Sequence, residues 1–239
     1  KLLSFIAQKC REKRTLMPVL TKPEGDGSYE GAICLKPKRG FYDDKNPVAV
    51  VDYSSLYPSC MISENISHDS KVWTREYDLK GEEIARTGAR DASGNYVYDN
   101  LEGYKYVDIE YDRYEWISPD GKKKEEKIKV GTKICRFAQF PDNKKAIMPS
   151  ILQNLLAARK ATRVKAKYKT ITTTSGDKYS GLLSDTDDEY IITDVALVDG
   201  MLKKTSQSFD KSDVVDVKDT YNSFMKNVFN QRQASIKVV

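Results

Sequence analysis

The chain has 239 residues, 31% of them charged, with 40 Lys and Arg against 35 Asp and Glu and a net charge of +5. That length supports one large or two modest domains with real cores, and so slight an excess of positive charge does not by itself name nucleic acid as a partner. One histidine (His68) nearly excludes His-based triads and His-rich metal sites. The four separated cysteines (Cys10, Cys34, Cys60, Cys135) lack metal-ligand or disulfide-framework spacing, and no apolar run approaches the ~20 residues of a membrane span. No signal peptide is visible, and a chain that opens on Lys rather than Met reads as a piece of a longer protein.

In chain order, Leu2, Leu3, Phe5, Ile6, Ala7 and Cys10 predict an amphipathic helix that runs into the basic stretch 9–14 and stops before Pro18. Residues 23–28 form a loop by composition. Tyr29 to Leu35 predicts a strand, with Gly31 as a bulge, and Arg39 to Tyr42 a turn. The next stretch, Pro47-Val48-Ala49-Val50-Val51-Asp52-Tyr53-Ser54-Ser55-Leu56-Tyr57-Pro58-Ser59, organises the rest. Its four consecutive apolar residues predict a strand buried on both faces and ending on a carboxylate. Ser54 or Ser55 is placed to cap a helix beginning near Leu56, whose free N–H groups and dipole favour phosphate. By spacing alone, an Asp before Ser-Ser is usually just an ordinary helix cap.

Residues 71–147, rich in Tyr, Lys, Asp and Gly, predict antiparallel sheet: strands over Gly103–Tyr111 and Ile128–Phe140, a turn at Ser118–Gly121, and a solvated hairpin arm over Lys122–Lys127. A helix is expected from about Pro149 to Tyr168, with Ile151, Leu152, Leu155, Leu156 and Ala158 on its apolar face. Arg159 and Arg163 stand one turn apart on one face, and no acid occurs between Gln153 and Gly176 to neutralise them. Residues 170–216, rich in Thr, Ser, Asp and Gly, predict an inserted tip built as a small β-hairpin element. A last helix is expected over about Val217 to Val239, with Tyr221, Phe224, Met225, Val228 and Phe229 at helical spacing and Lys237 near its end.

Residues 52–59, Asp-Tyr-Ser-Ser-Leu-Tyr-Pro-Ser, resemble the first polymerase motif of family B DNA polymerases, and residues 61–70 and 135–141 resemble the branch found in large double-stranded DNA viruses. Residues 155–163 resemble the first fingers helix of that family, and residues 233–239 the start of its second motif. The resemblance implies two-metal nucleotidyl transfer with two Mg²⁺ ions held in part by Asp52 and the Tyr53 carbonyl. It implies that Ser55 and Leu56 N–H groups, Arg159, Arg163 and Lys237 hold the triphosphate, and that Lys237 donates a proton to pyrophosphate. Tyr57 would lie under the sugar and exclude ribonucleotides, while Tyr29 and Gly31 would meet the template backbone. The family's second acidic motif carries an Asp-Thr-Asp, but Asp185-Thr186-Asp187 precedes the second fingers helix instead of following it and is read as an acidic loop. An EF-hand reading of that loop fails on spacing.

The expected architecture is α+β: part of a polymerase palm, mostly antiparallel sheet with helices, over residues 1–147 with the first motif at 47–70, and helical fingers over 148–239 with an insertion at about 170–216. The expected partners are primer-template DNA, deoxynucleoside triphosphates and a sliding clamp, with no membrane. The expected location is intracellular, in the nucleus or at a cytoplasmic site of viral replication. Because the second acidic motif and the thumb are not in the sequence, the isolated chain is expected to be inactive. Two rival readings are a non-catalytic nucleic-acid-binding module on the same scaffold, and a metal-dependent hydrolase using Asp185 and Asp187 together with Asp52.

Overall fold

The structure is a computed structural model and describes residues 2–17, 35–45, 47–117, 126–198 and 200–237. The expected strand at 29–35 and turn at 118–121, and with them Tyr29 and Gly31, lie outside the described residues, apart from Leu35. Among those described, the chain is α+β, with four helices and two antiparallel sheets.

Helix α1 (Leu2–Glu12) lays its apolar stripe on α3 (Ile147–Lys165), burying Cys10, Ile147 and Ile151 with Ile6 and Leu155 packed around them. The first sheet has the order β2 (Glu83–Gly88), β1 (Lys71–Asp78), β4 (Glu126–Gln139), β3 (Lys105–Ile117). Val72, Trp73 and Ala138 are its buried centre, lined by Tyr96, Tyr104, Tyr106, Ile134 and Phe140. The Trp73 indole donates to Asp99 (2.9 Å), and Arg136 pairs with both Asp99 (3.1 Å) and Asp108 (2.6 Å) while lying over the Trp73 ring. These contacts pin the long loop between β2 and β3 to the sheet.

The expected strand at 47–51 does not form. Residues 47–53 are exposed and carry no regular structure, with Val50 and Val51 90% and 91% exposed. A strand needs a hydrogen-bonded neighbour and a cover for its side chains. Neither sheet of the described residues supplies one to this segment. The run of valines therefore signals β preference without fixing a partner. Helix α2 (Leu56–Ser63) does begin at Leu56, but Ser55 makes no side-chain cap bond and instead takes a left-handed backbone (φ 52°, ψ 51°) that turns the chain into the helix.

The insertion is larger than a hairpin. It is a five-stranded sheet in the order β8 (Met201–Asp210), β7 (Glu189–Val198), β6 (Lys178–Asp185), β5 (Lys169–Thr173), β9 (Val214–Asp219). Four strands meander, and the fifth returns beside the first. Its core is Ile171, Ile192 and Val195, joined by Tyr168 from the end of α3. A side chain at Gly181 would meet the Thr193 carbonyl oxygen at 2.6 Å, so the close approach of β6 to β7 requires glycine there. The last helix, α4, spans Ser223–Lys237, and Val217, expected on it, lies in β9. Alternation over 214–219 won over the helical spacing because β9 has a ladder partner in β5.

Candidate functional site

The organising stretch and the two long helices meet at one cleft. Asp52, Ser54, Ser55 and Pro58 form one side, Leu155, Leu156, Arg159 and Arg163 of α3 another, and Ile236 and Lys237 of α4 a third, around a volume of about 470 Å³. A second cleft of about 580 Å³ adjoins it across the Arg159–Arg163 ridge, lined also by Ser59, Lys160, Lys167 and Leu182 of β6. Five of the residues expected to act together, Asp52, Ser55, Arg159, Arg163 and Lys237, thus come from three distant parts of the chain to one opening.

Local structure explains each position. Arg159 and Arg163 share a face of α3 because they are four residues apart on an uninterrupted helix. α3 is held in register by a remote cap. Asn65, completely buried, donates to the Ala138 carbonyl and accepts from the Ala146 amide, both at 2.8 Å. The Asp69 carboxylate accepts from the Ile147 amide (3.1 Å), and Ser67 Oγ accepts from the Met148 amide (3.3 Å). The orphan amides at the start of α3 are therefore satisfied by residues that directly follow α2. This clasp fixes α3 against the stretch that carries Asp52 and Ser55. Arg159 Nε also donates to Gln233 Oε1 (3.3 Å), which ties α3 to α4 at the level of the cleft.

The electrostatics are one-sided. Among the described residues, Arg159, Lys160, Arg163, Lys167 and Lys237 have no ion-pair partner, and neither has Asp52. Among the described residues, Asp52 is the one acid lining either cleft. Such an arrangement suits a polyanion that brings its own counter-ion to the carboxylate, since unpaired guanidiniums grip phosphate oxygens bidentately. The amino end of α2 adds unpaired amides on the same side.

The other expected site residues fall beside this opening. Leu56 and Tyr57 stand on the first turn of α2 without lining either cleft, and the Tyr57 side chain is 75% exposed. Tyr53 is likewise exposed and outside the lining. Asp185 is bound to Lys211 (2.7 Å) at the far end of β6, and neither it nor Asp187 lines a cleft with Asp52, so the hydrolase reading loses the juxtaposition it required. No group of three or more His, Cys, Asp and Glu suited to a metal occurs among the described residues. No helix among them is long and apolar enough to cross a membrane.

Sequence reasoning missed Gln233 and the Asn65–Ser67–Asp69 clasp. The clasp residues advertise a cap through their side-chain chemistry, but nothing in their spacing says that they cap a helix some eighty residues later.

The profile of DNA polymerase family B matches residues 1–179. The DNA polymerase of Phaeocystis pouchetii virus is 60% identical over 163 residues, covering 68% of this chain and 15% of that protein. The DNA polymerase of Pyramimonas orientalis virus is 35% identical over 242 residues, covering 100% of this chain and 17% of that protein. A DNA polymerase delta catalytic subunit from Caenorhabditis elegans is 36% identical over 88 residues, covering 36% of this chain and 8% of that protein. The chain thus spans 15% and 17% of the length of the two viral relatives. No solved structure matches.

Proposed function

This chain belongs to DNA polymerase family B, and from that premise we propose that its cleft binds the incoming deoxynucleoside triphosphate during template-directed extension of a primer 3′ end. The observation that supports this most is the convergence of Asp52, Ser55, Arg159, Arg163 and Lys237 on one opening. The palm portion is residues 1–147 and the fingers portion residues 148–239.

In this reading the triphosphate tail lies along the amino end of α2, taking hydrogen bonds from the Ser55 and Leu56 amides. Arg159 and Arg163 clamp its oxygens from α3. Lys237 closes from α4 and gives a proton to the departing pyrophosphate. Tyr57, exposed on the first turn of α2, supports the sugar, and a 2′-hydroxyl would strike its ring. Fixed donors aimed at developing charge account for most of what such a site must do, because phosphoryl transfer asks mainly for alignment and neutralisation.

Asp52 also fits a share in a divalent metal site. Its carboxylate lines the cleft without a protein partner, and Mg²⁺ in nucleotide sites takes one or two carboxylates plus substrate phosphates rather than a full protein cage. The Tyr53 carbonyl is the second oxygen proposed for it. When bound, a pair of such ions would supply Lewis acidity to the attacking hydroxyl and the leaving group.

Tyr29 and Gly31 are proposed to meet template DNA, and a sliding clamp is the proposed processivity partner. The work would take place inside an infected cell, in the nucleus or at a cytoplasmic replication site. The isolated chain is proposed to be inactive, and primer extension by the purified chain would refute that.

The decisive experiment is Asp52→Ala in the complete polymerase. Loss of synthesis with DNA binding retained supports catalysis at this cleft. Retained synthesis would favour a non-catalytic nucleic-acid-binding role for the same scaffold.

A further inference from the structure

The inserted sheet is attached to both helices that form the cleft. Three residues separate the end of α3 from the start of β5, and three separate the end of β9 from the start of α4. β5 and β9 are neighbours in one antiparallel ladder, with Lys169 opposite Asp219. The chain leaving α3 and the chain entering α4 are therefore held about 5 Å apart by sheet pairing, which a flexible connecting loop would not do.

Further bonds close this neck. The Thr220 amide donates to the Tyr168 carbonyl (3.1 Å), and the Thr170 and Thr220 hydroxyls are 2.8 Å apart. Asp219 takes Lys169 from β5 and Lys226 from α4, both at 2.7 Å. Tyr168 is 4% exposed. Its hydroxyl donates to the Asp194 carboxylate (2.8 Å) and accepts from the Val195 amide (2.7 Å), fastening β7 back onto the end of α3. Burial, and then the neighbouring carboxylate, push that hydroxyl up to about 12, so it stays a neutral donor at any working pH. The family profile ends at residue 179, before most of this sheet.

We propose that the inserted sheet, α3 and α4 form one rigid arm, with Tyr168 as the positioning residue that latches it, so that the sheet sets where Lys237 stands opposite Arg159 and Arg163. This rests on the nucleotide-binding reading of the cleft. The fifteen residues of α4 make a lever roughly 22 Å long. A small tilt at the neck therefore becomes a large displacement at Lys237. Surface ion pairs contribute little by themselves, and for that reason Tyr168 is the stronger handle than Asp219.

The test is Tyr168→Phe in the complete polymerase, with Asp219→Asn as a milder second variant on an exposed residue. Tyr168→Phe keeps the ring and leaves Asp194 and the Val195 amide without their partner. Expected are a rise of about fivefold in the nucleotide KM and a fall in kcat, since Lys237 both holds the triphosphate and gives its proton, with DNA affinity nearly unchanged, together with faster amide exchange across residues 224–233. Asp219→Asn should move both readouts in the same direction by less. An unchanged KM, whether or not the melting temperature falls, overturns the proposal. So does a higher KM without faster exchange in α4. The outcome is separable from the parent reading, because exchange needs no synthesis and Asp52→Ala tests the chemistry alone.

Discussion

The segment Val48–Tyr53 and the inserted sheet at residues 169–219 are opposites. The first carries the chain's clearest chemical message and makes no regular structure among the described residues. The second carries no recognisable chemical motif and has its strands paired throughout around a buried Ile171, Ile192 and Val195. On the proposed reading of Asp52, the pressure to keep a reactive group and the pressure to bury a core act on different residues. An acid that serves a bound polyanion is best left without protein partners, whereas Ile171 is useful only when it is surrounded.

The largest expected effect tests the first half of that contrast. Asp52→Ala should lower synthesis by the complete polymerase at least about a thousandfold, with an unchanged melting temperature, because Asp52 is exposed and makes no hydrogen bond or ion pair with a described residue. A clear loss of stability would mean that the segment is a folded part after all. Ile171→Ala, at a fully buried position in the inserted sheet, should cost about 2–5 kcal/mol in denaturant unfolding. Asn65→Ala should cost about 2–4 kcal/mol, since the Ala138 carbonyl and the Ala146 amide are left buried and unsatisfied. Arg159→Ala should raise the nucleotide KM about tenfold while altering stability little.

The smallest effect is a pH window at the neck of the insert. The Lys169 and Lys226 ammoniums hold the Asp219 carboxyl down at about 2, below its ordinary value of 3.8. A carboxylate whose folded pKa is depressed contributes its stabilisation above the unfolded pKa and loses it as pH falls through the folded one. The melting temperatures of the wild type and Asp219→Asn should therefore differ at neutral pH and converge between about pH 4 and about pH 2.

Much of the architecture was legible because it is local. The apolar spacing of Leu2 to Cys10 and of Ile151 to Leu156 placed α1 and α3 within a few residues. The alternation over 103–111 placed β3, and the stretch 128–140 read as the strand that is β4. Misreadings came where the outcome depends on a partner far away in sequence. Val48–Val51 looked like a buried strand because β-branched residues favour strands, yet a strand forms only beside another. Val217 fitted a helical stripe and a strand equally, and β5 decided it. The insertion read as a hairpin because its turn-rich composition marks the loops while its strands are mixed in polarity. At the site, Arg159 and Arg163 were visible from their spacing and from the absence of nearby acids. Asn65 and Asp69 were not, because the helix they cap lies some eighty residues downstream.

The most direct test of the central claim is a crystal structure of this chain grown with Mn²⁺ and a deoxynucleoside triphosphate, read by the anomalous signal of the metal. The account predicts a metal peak bonded to the Asp52 carboxylate and to phosphate oxygens, with Arg159 and Arg163 on the same triphosphate. A triphosphate bound elsewhere, or a metal peak away from Asp52 with the cleft filled, would contradict it.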